Sequence, residues 1–465
     1  MNIKQLDPRD NVAVVLMADA TIPAGHKVAL CDIKKGEFVY KYGSIIGRAK
    51  VDIHKGEHVH SHNLRSHLDE EETYEYHPDF TPQQTREGTF HGFKREGRRA
   101  GIRNEIYIIP TVGCVNAVAE ALATEARTLM HGSIDGIYAL THPFGCSQLG
   151  EDGENITKFL SAIAQNPNAT FCLLVGLGCE NNTMERMRKC LEGKDAHIRY
   201  LVCQQVEDEH AEGMKILREM IAKASQLQRE PVSLSELCIG LKCGGSDAFS
   251  GIVANPLVGS LSDRFLSLGA SAILTEVPEM FGAEKELMAR CVSEEIFEKY
   301  REMIVNFKNY YIENGFPVYE NPSPGNKEGG ITTLEEKSLG CIRKGGNAPV
   351  VDVLAYAEQV SKCGLSVLDA PGNDLVASTA LGASGCQIVL FTTGRGTPFS
   401  TFVPTVKIAS NPRLATFKSN WIDFDATPMD TDAFFEYILA VVEGREVLHS
   451  ENNREIAFYK KGVTL

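Results

Sequence analysis

The sequence predicts a multidomain α/β protein with a small all-β module at its N-terminus. Three observations carry this. Short strand candidates punctuated by glycine fill the chain to about Asn63. From about Gly101, apolar runs of strand length alternate with helical segments. A second series of the same kind begins near Leu237. Such alternation marks βα units on a parallel sheet. A chain of 465 residues has room for about three domains.

The elements follow in order. NVAVVLM, HKVALCDI, EFVYKYG and EHVHSHN read as strands, set apart by Gly25, Gly36, Gly43, Gly47 and Gly56. The stretch SHLDEEETYEYHPDFTPQQTREG is acidic, holds two prolines and lacks apolar periodicity. It reads either as a linker that lets the first module move or as an ordered arm laid over a neighbour. Next, EIYIIPTV precedes NAVAEALATEARTLM, GIYALTHP precedes ENITKFLSAIAQNP, TFCLLVGLG precedes TMERMRKCLEG, and IRYLVCQQ precedes EDEHAEGMKILREMIAKASQL. The second series has strand candidates LCIGLKCGG, SAILTEVPE, LSVLDAPGN and CQIVLFTTGRG, with a long helical segment KELMARCVSEEIFEKYREMIVNFKNYYIEN between them. The polar stretch near Arg229 is a boundary. The expected parts are a β module over 1–68, a linker over 69–98, a middle α/β domain over 99–230 and a C-terminal α/β domain over 231–465.

Apolar residues make up 43% of the chain and charged residues 23%, with a formal net charge of -14. That composition suits a globular protein. The charge opposes non-specific binding to nucleic acid or an anionic membrane. Thirteen cysteines, an odd number spread over the whole chain, fit a reducing compartment better than a disulfide scaffold. The start MNIKQLDPRDN lacks a signal-peptide layout, and no apolar run approaches the ~18 residues of a membrane span. A cytoplasmic location is expected.

Several strand candidates end in glycine plus a thiol or polar residue: TVGCVN at 111–116, THPFGCSQLG at 141–150, GLGCENN at 176–182 and LKCGGSD at 241–247. Ligands of open α/β sheets bind outside the carboxyl ends of the strands. Cys114, Cys146, Cys179 and Cys243 are thus expected on one functional edge. Thiolates there suit iron or another borderline metal, or an iron–sulfur cluster. The plain alternative is four buried, inert cysteines. In EHVHSHN, His58, His60 and His62 alternate, so on a strand they share one face. Together with His26 they can bind metal, move protons or hydrogen-bond a polyol, or form a solvated polar face. Gly25 suggests a turn that presents His26 and Lys27. NPSPGNKEGG at 321–330 carries Lys327, and TTGRGTP at 392–398 presents Arg395 between glycines; both can pair with a carboxylate. Arg103 and Asn104, just ahead of a strand, can face the same pocket. Glu276 and Glu279 are further candidate ligands or bases. No complete dinucleotide or P-loop fingerprint occurs.

Taken together, these motifs resemble one family. Residues 10–63, DNVAVVLM through EHVHSHN, look like a SAF-type β-clip module. RAGIRNEIYIIPTVGCVN, THPFGCSQLG, GLGCENN, CGGSDAFSGIVANP, TEVPEMFGAE, NPSPGNKEGGITTLEEKSLG and TTGRGTPFSTFVPTVKIASN resemble the altronate/galactarate dehydratase family. The resemblance spans essentially the whole chain and, through EHVHSHN and TEVPEMFGAE, is greater to the altronate branch. It implies a β-clip domain, a middle domain that helps form a homodimer, and a Rossmann-like C-terminal domain with a parallel sheet. It also implies Fe2+, or sometimes Mn2+, and a sugar-acid substrate. The expected reaction is dehydration of D-altronate to 2-dehydro-3-deoxy-D-gluconate, with loss of the C2 proton and the C3 hydroxyl. On motif chemistry, Cys114, Cys146, Cys179 and Cys243 are expected to hold metal. His26, His142, His60 and His62 are the acid/base candidates. Lys27, Arg103, Asn104, Lys327 and Arg395 are the substrate-binding candidates. The alternatives are the same chemistry on galactarate or a sulfo-acid, or a sugar-acid-binding protein without catalysis.

Overall fold

The computed structural model describes residues 2–18, 21–68, 73–462 and 464. Its N-terminal module is two small antiparallel sheets. One runs in the order Asn2–Lys4, Val12–Met17, Lys27–Ala29, His58–Val59. The other runs Phe38–Lys41, Ser44–Ala49, Leu64–Arg65. Val12, Val39, Ile46, Ile53 and Val59 are buried, and they merge with apolar residues of the C-terminal unit into one core. A module this small has too little apolar surface for a full core of its own.

Charge completes the docking. The Lys27 ammonium donates to Glu336 at 2.8 Å, to the Gly330 carbonyl at 2.9 Å and to the Thr332 hydroxyl at 2.7 Å. Lys41 donates to the other Glu336 oxygen at 2.7 Å. All three charged groups are buried. Burial pushes Lys27 down to about 8 against the pull of Glu336. Burial also works to raise the Glu336 carboxyl, but the two lysines outweigh it and hold it at about 2.

Residues 69–72 of the expected linker lie outside the described residues. The rest of its first part is an ordered strap over the C-terminal unit. Tyr76 donates to the Cys291 carbonyl, the Asp79 amide to the Ala289 carbonyl and the Arg86 amide to the Ser267 carbonyl. This is the arm rather than the mobile linker. The strap ends in strand Thr89–Gly92, which pairs antiparallel with Glu230–Ser233. The middle unit is therefore inserted through a two-stranded neck.

That unit is a parallel sheet in the order Gly136–Ala139, Glu105–Pro110, Ala169–Gly176, Ile198–Val202. Every residue of Glu105–Pro110 is buried, as a parallel strand covered on both faces requires. Helix Asn116–Arg127 packs through Ala119, Leu122, Ala123 and Ala126, the i, i+3, i+4, i+7 stripe of an amphipathic helix.

The C-terminal unit is a seven-stranded parallel sheet in the order Val350–Leu354, Gly364–Leu368, Ser271–Leu274, Cys238–Cys243, Ile388–Thr393, Thr405–Ala409, Phe424–Asp425. Chain order reverses between Cys238–Cys243 and Ile388–Thr393, so the crevice expected at a switch point opens above residues 243–247 and 393–396. Among the described residues, no helix is long and apolar enough to cross a membrane.

Glu336→Gln leaves two ammoniums buried without their counter-charge. It is expected to cost about 3–5 kcal/mol in urea unfolding at neutral pH. The carboxylate's contribution is whole above the ordinary carboxyl pKa of about 4.3 and is lost as pH falls to about 2. The gap between wild type and variant should close across that window and stay constant just above it.

Candidate active site

Cys114, Cys146 and Cys179 follow the carboxyl ends of three adjacent strands of the middle sheet. All three are exposed, and each comes directly after a glycine. The backbone needs these glycines. At Gly145, with φ at 105°, a Cβ would meet the Thr111 carbonyl oxygen at 2.1 Å; at Gly178, with φ at 124°, it would meet Gln204 Oε1 at 2.8 Å.

Buried polar side chains bolt the three loops together. Glu180 accepts from the Thr111 hydroxyl at 2.6 Å and from the Leu177 and Gly178 amides at 3.1 and 2.6 Å. Burial works to raise its pKa, but these bonds outweigh that and hold it below the usual carboxylate value. Asn182 donates to the Thr111 carbonyl at 3.0 Å and, through its amide N–H, to the Gly145 carbonyl at 2.9 Å. Asn116 donates to the His142 carbonyl at 2.9 Å. The thiols themselves touch only neutral partners among the described residues. Asn181 Oδ1 lies 3.5 Å from Cys146 Sγ, Gln204 Nε2 donates to Cys179 Sγ at 3.7 Å, and the Ser147 hydroxyl lies 3.8 Å from Cys146 Sγ. The result is a rigid platform carrying three accessible sulfurs.

The histidines meet the C-terminal unit at its switch point. Only His58 of the run lies on a strand; from His60 the chain turns, because Asn63 accepts from the His60 amide and donates to the His58 carbonyl. The rings still cluster, with centroids 5.0–5.5 Å apart for His26–His60, His26–His58, His58–His60 and His58–His62. His26 Nε2 lies 3.2 Å from the Glu328 carbonyl and His60 Nε2 2.9 Å from the Lys327 carbonyl, so both must carry hydrogen there. His26 Nδ1, 3.0 Å from His58 Nε2, is then the acceptor, which leaves His58 Nδ1 as the free base of the chain. Burial, helped by His26, pushes His58 down to about 4, so its ring is neutral at physiological pH. Arg395 Nη1 donates to the Gly325 carbonyl at 3.3 Å and to Glu328 at 3.1 Å, half-exposed above the crevice. Asp247, which the sequence reading passed over, anchors that crevice by accepting from Ser250, Ser410 and Asn411.

Cys243 is not on the cysteine edge. It ends a strand of the other sheet and lies with Glu276, Glu279 and Cys341, whose donor atoms are all within 4.8 Å of one another. This buried set could hold a metal ion. The ammonium of Lys344 nevertheless sits 2.9 Å from both sulfurs and 3.0 Å from Glu276, inside the set. Lys242 donates to Glu276 at 2.5 Å and to Asp374 at 2.9 Å, and Lys337 to Glu279 at 2.8 Å. Three ammoniums face three carboxylates, so the charges of the set already balance. Glu276 adopts φ 74°, a strained conformation that active regions often carry. The loop after Leu368 borders this cluster, where Asp374 accepts from Lys242.

Four other expectations change. His142 is buried, with Nε2 on the Pro110 carbonyl and Nδ1 accepting from the Phe144 amide. Both nitrogens hold the loop, leaving none for proton transfer. Arg103 pairs with Glu451 and the carbonyls of Ile102 and Val441. Asn104 is used by Ser133, Ala224 and Thr170. Neither reaches a pocket. Lys27 is spent on docking, as described above.

Exposure sets thiol reactivity. Brief alkylation of the native, metal-free protein should label Cys114, Cys146 and Cys179 and leave Cys243 and Cys341 unlabelled, read by peptide mass spectrometry. Labelling of the buried pair at equal rate would contradict this geometry.

Comparison with known proteins agrees with the three-part layout. Residues 1–67 match the Altronate/galactarate dehydratase SAF domain, 92–225 the second domain of D-galactarate dehydratase/Altronate hydrolase, and 234–464 the C-terminal D-galactarate/Altronate dehydratase model. Altronate dehydratase of Bacillus subtilis (strain 168) is 50% identical over 459 residues, 96% of this chain and 92% of that protein. Altronate dehydratase of Escherichia coli (strain K12) is 46% identical, covering 98% and 94%. Galactarate dehydratase (L-threo-forming) of the same strain is 32% identical, covering 92% and 88%. The chain belongs to the altronate/galactarate dehydratase family.

Proposed function

We propose that the chain is an altronate dehydratase, a hydro-lyase that converts D-altronate to 2-dehydro-3-deoxy-D-gluconate in hexuronate catabolism. The relatives named for altronate share 50% and 46% identity with it, against 32% for the galactarate enzyme. The observation that carries the chemistry is the cysteine platform. Three exposed thiols on adjoining loops, with no lysine or arginine hydrogen-bonded to them among the described residues, fit an iron centre with a position left open for substrate. The ion proposed there is Fe2+, with Mn2+ or an iron–sulfur cluster as the alternatives. The buried Cys243 set fits an ion poorly, since Lys344 fills it.

The difficult step is removing a proton next to an ionised carboxylate. Iron at Cys114, Cys146 and Cys179 would supply Lewis-acid stabilisation of the developing charge. Arg395 and Lys327 hold the carboxylate. His58, kept neutral by burial and oriented through His26, takes the C2 proton, and His60 or His62 protonates the departing C3 hydroxyl. The C-terminal unit is read as Rossmann-like, the functional form as a cytoplasmic homodimer, and the domain limits as those predicted above, with the strap assigned to the C-terminal unit.

Anaerobic turnover of D-altronate with added ferrous iron, following the 2-keto acid, tests the reading, with galactarate alongside. Selective turnover of altronate is expected. Cys114→Ser, Cys146→Ser and Cys179→Ser should each lower iron content and activity together. His58→Asn should keep its iron and lose about 10²-fold or more in kcat. Iron-loaded protein that turns over neither acid would move the non-catalytic binding role to the front.

A further inference from the structure

The buried sulfurs of Cys243 and Cys341 lie 3.5 Å apart. Both are free thiols, each about 2% exposed, and the proposed reaction uses neither. A narrow cavity of about 10 Å3, room for about one water, is lined by both of them together with Ser246, Asp247, Ser250 and Lys337. The Lys344 ammonium contacts both sulfurs at 2.9 Å, where it stabilises negative charge on either. A structural cysteine pair does not need a cation between its sulfurs or a cavity beside them.

We propose that Cys243 and Cys341 form a redox modification site, joined into an intramolecular disulfide by hydrogen peroxide. Cys243 sulfur attacks one peroxide oxygen, the O–O bond breaks, and the departing hydroxide takes the thiol proton, relayed by Lys344, to leave as water. Cys243 is now a sulfenic acid. The Cys341 thiol attacks that sulfur, the S–O bond breaks, and the leaving hydroxide takes the Cys341 proton as a second water. Two thiols are oxidised by two electrons and one peroxide is reduced. The sulfurs must close from 3.5 Å to about 2.05 Å. The bond would tie strand Cys238–Cys243 to helix Leu334–Cys341, the helix that carries Glu336. The narrowness of the cavity selects hydrogen peroxide over bulky organic hydroperoxides.

The test is peptide mapping of the holoenzyme after hydrogen peroxide treatment and alkylation under denaturing conditions, a readout independent of turnover and of iron loss. A linked pair of peptides containing Cys243 and Cys341, two hydrogens lighter than their sum and released by dithiothreitol, is expected. Tert-butyl hydroperoxide should give at least 10-fold less of it. In Cys341→Ser, Cys243 should instead be recovered as the sulfenic acid, trapped by dimedone present as the peroxide-treated protein is unfolded. Recovery of both cysteines as free thiols at doses that oxidise Cys146 would overturn the proposal. So would a Cys243–Lys344 cross-link through an added oxygen in place of the disulfide.

Discussion

The carboxylate of Glu336, held between Lys27 and Lys41, is the contact on which the arrangement of the molecule depends. The module shares its main core with the C-terminal unit, and apolar packing alone does not set its orientation. A buried ion set contributes little net stability compared with apolar packing, but it tolerates only one geometry. Lys27 also binds the Gly330 carbonyl and the Thr332 hydroxyl. It therefore fixes the segment whose Lys327 and Glu328 carbonyls orient His60 and His26. One lysine thus links the docking of a domain to the tautomers of a histidine cluster.

Much of the fold was legible because buried parallel strands are continuous apolar runs. EIYIIPTV, TFCLLVGLG and CQIVLFTTG all lie on strands. Helix Leu334–Cys341 was illegible for the opposite reason. Its sequence LEEKSLGC looks like a solvated helix, yet every residue is buried. Glu335 accepts through one oxygen from Ser66 and the His67 amide, Glu336 is paired with the module's lysines, and Lys337 with Glu279 and Asn321. Partners so distant in sequence leave no local periodicity. The long segment KELMARCVSEEIFEKYREMIVNFKNYYIEN proved to be two helices, because Ser293 caps a new one at Glu294.

The candidate site divides in the same way. A glycine and a thiol after an apolar run mark a strand's carboxyl end, so the platform of Cys114, Cys146 and Cys179 could be read from sequence. The same signal grouped Cys243 with them, because a strand end does not reveal which sheet it belongs to. His142, Arg103 and Asn104 failed for a related reason. A polar residue beside a motif is as often a tie within the loop as a group aimed at a ligand, and only its hydrogen bonds separate the two.

The two thiol environments show how the nearest cation decides the chemistry of a cysteine. On the platform, no ammonium or guanidinium is hydrogen-bonded to the sulfurs among the described residues. The loops there are tied together by Glu180 and Asn182 independently of any bound cation. Within the C-terminal unit, Lys344 already supplies the positive charge, at a distance where a metal would collide with it. An incoming divalent ion would have to expel Lys344 and break its contact with Glu276. Such a site gains little from a metal, and its sulfurs stay available to each other instead.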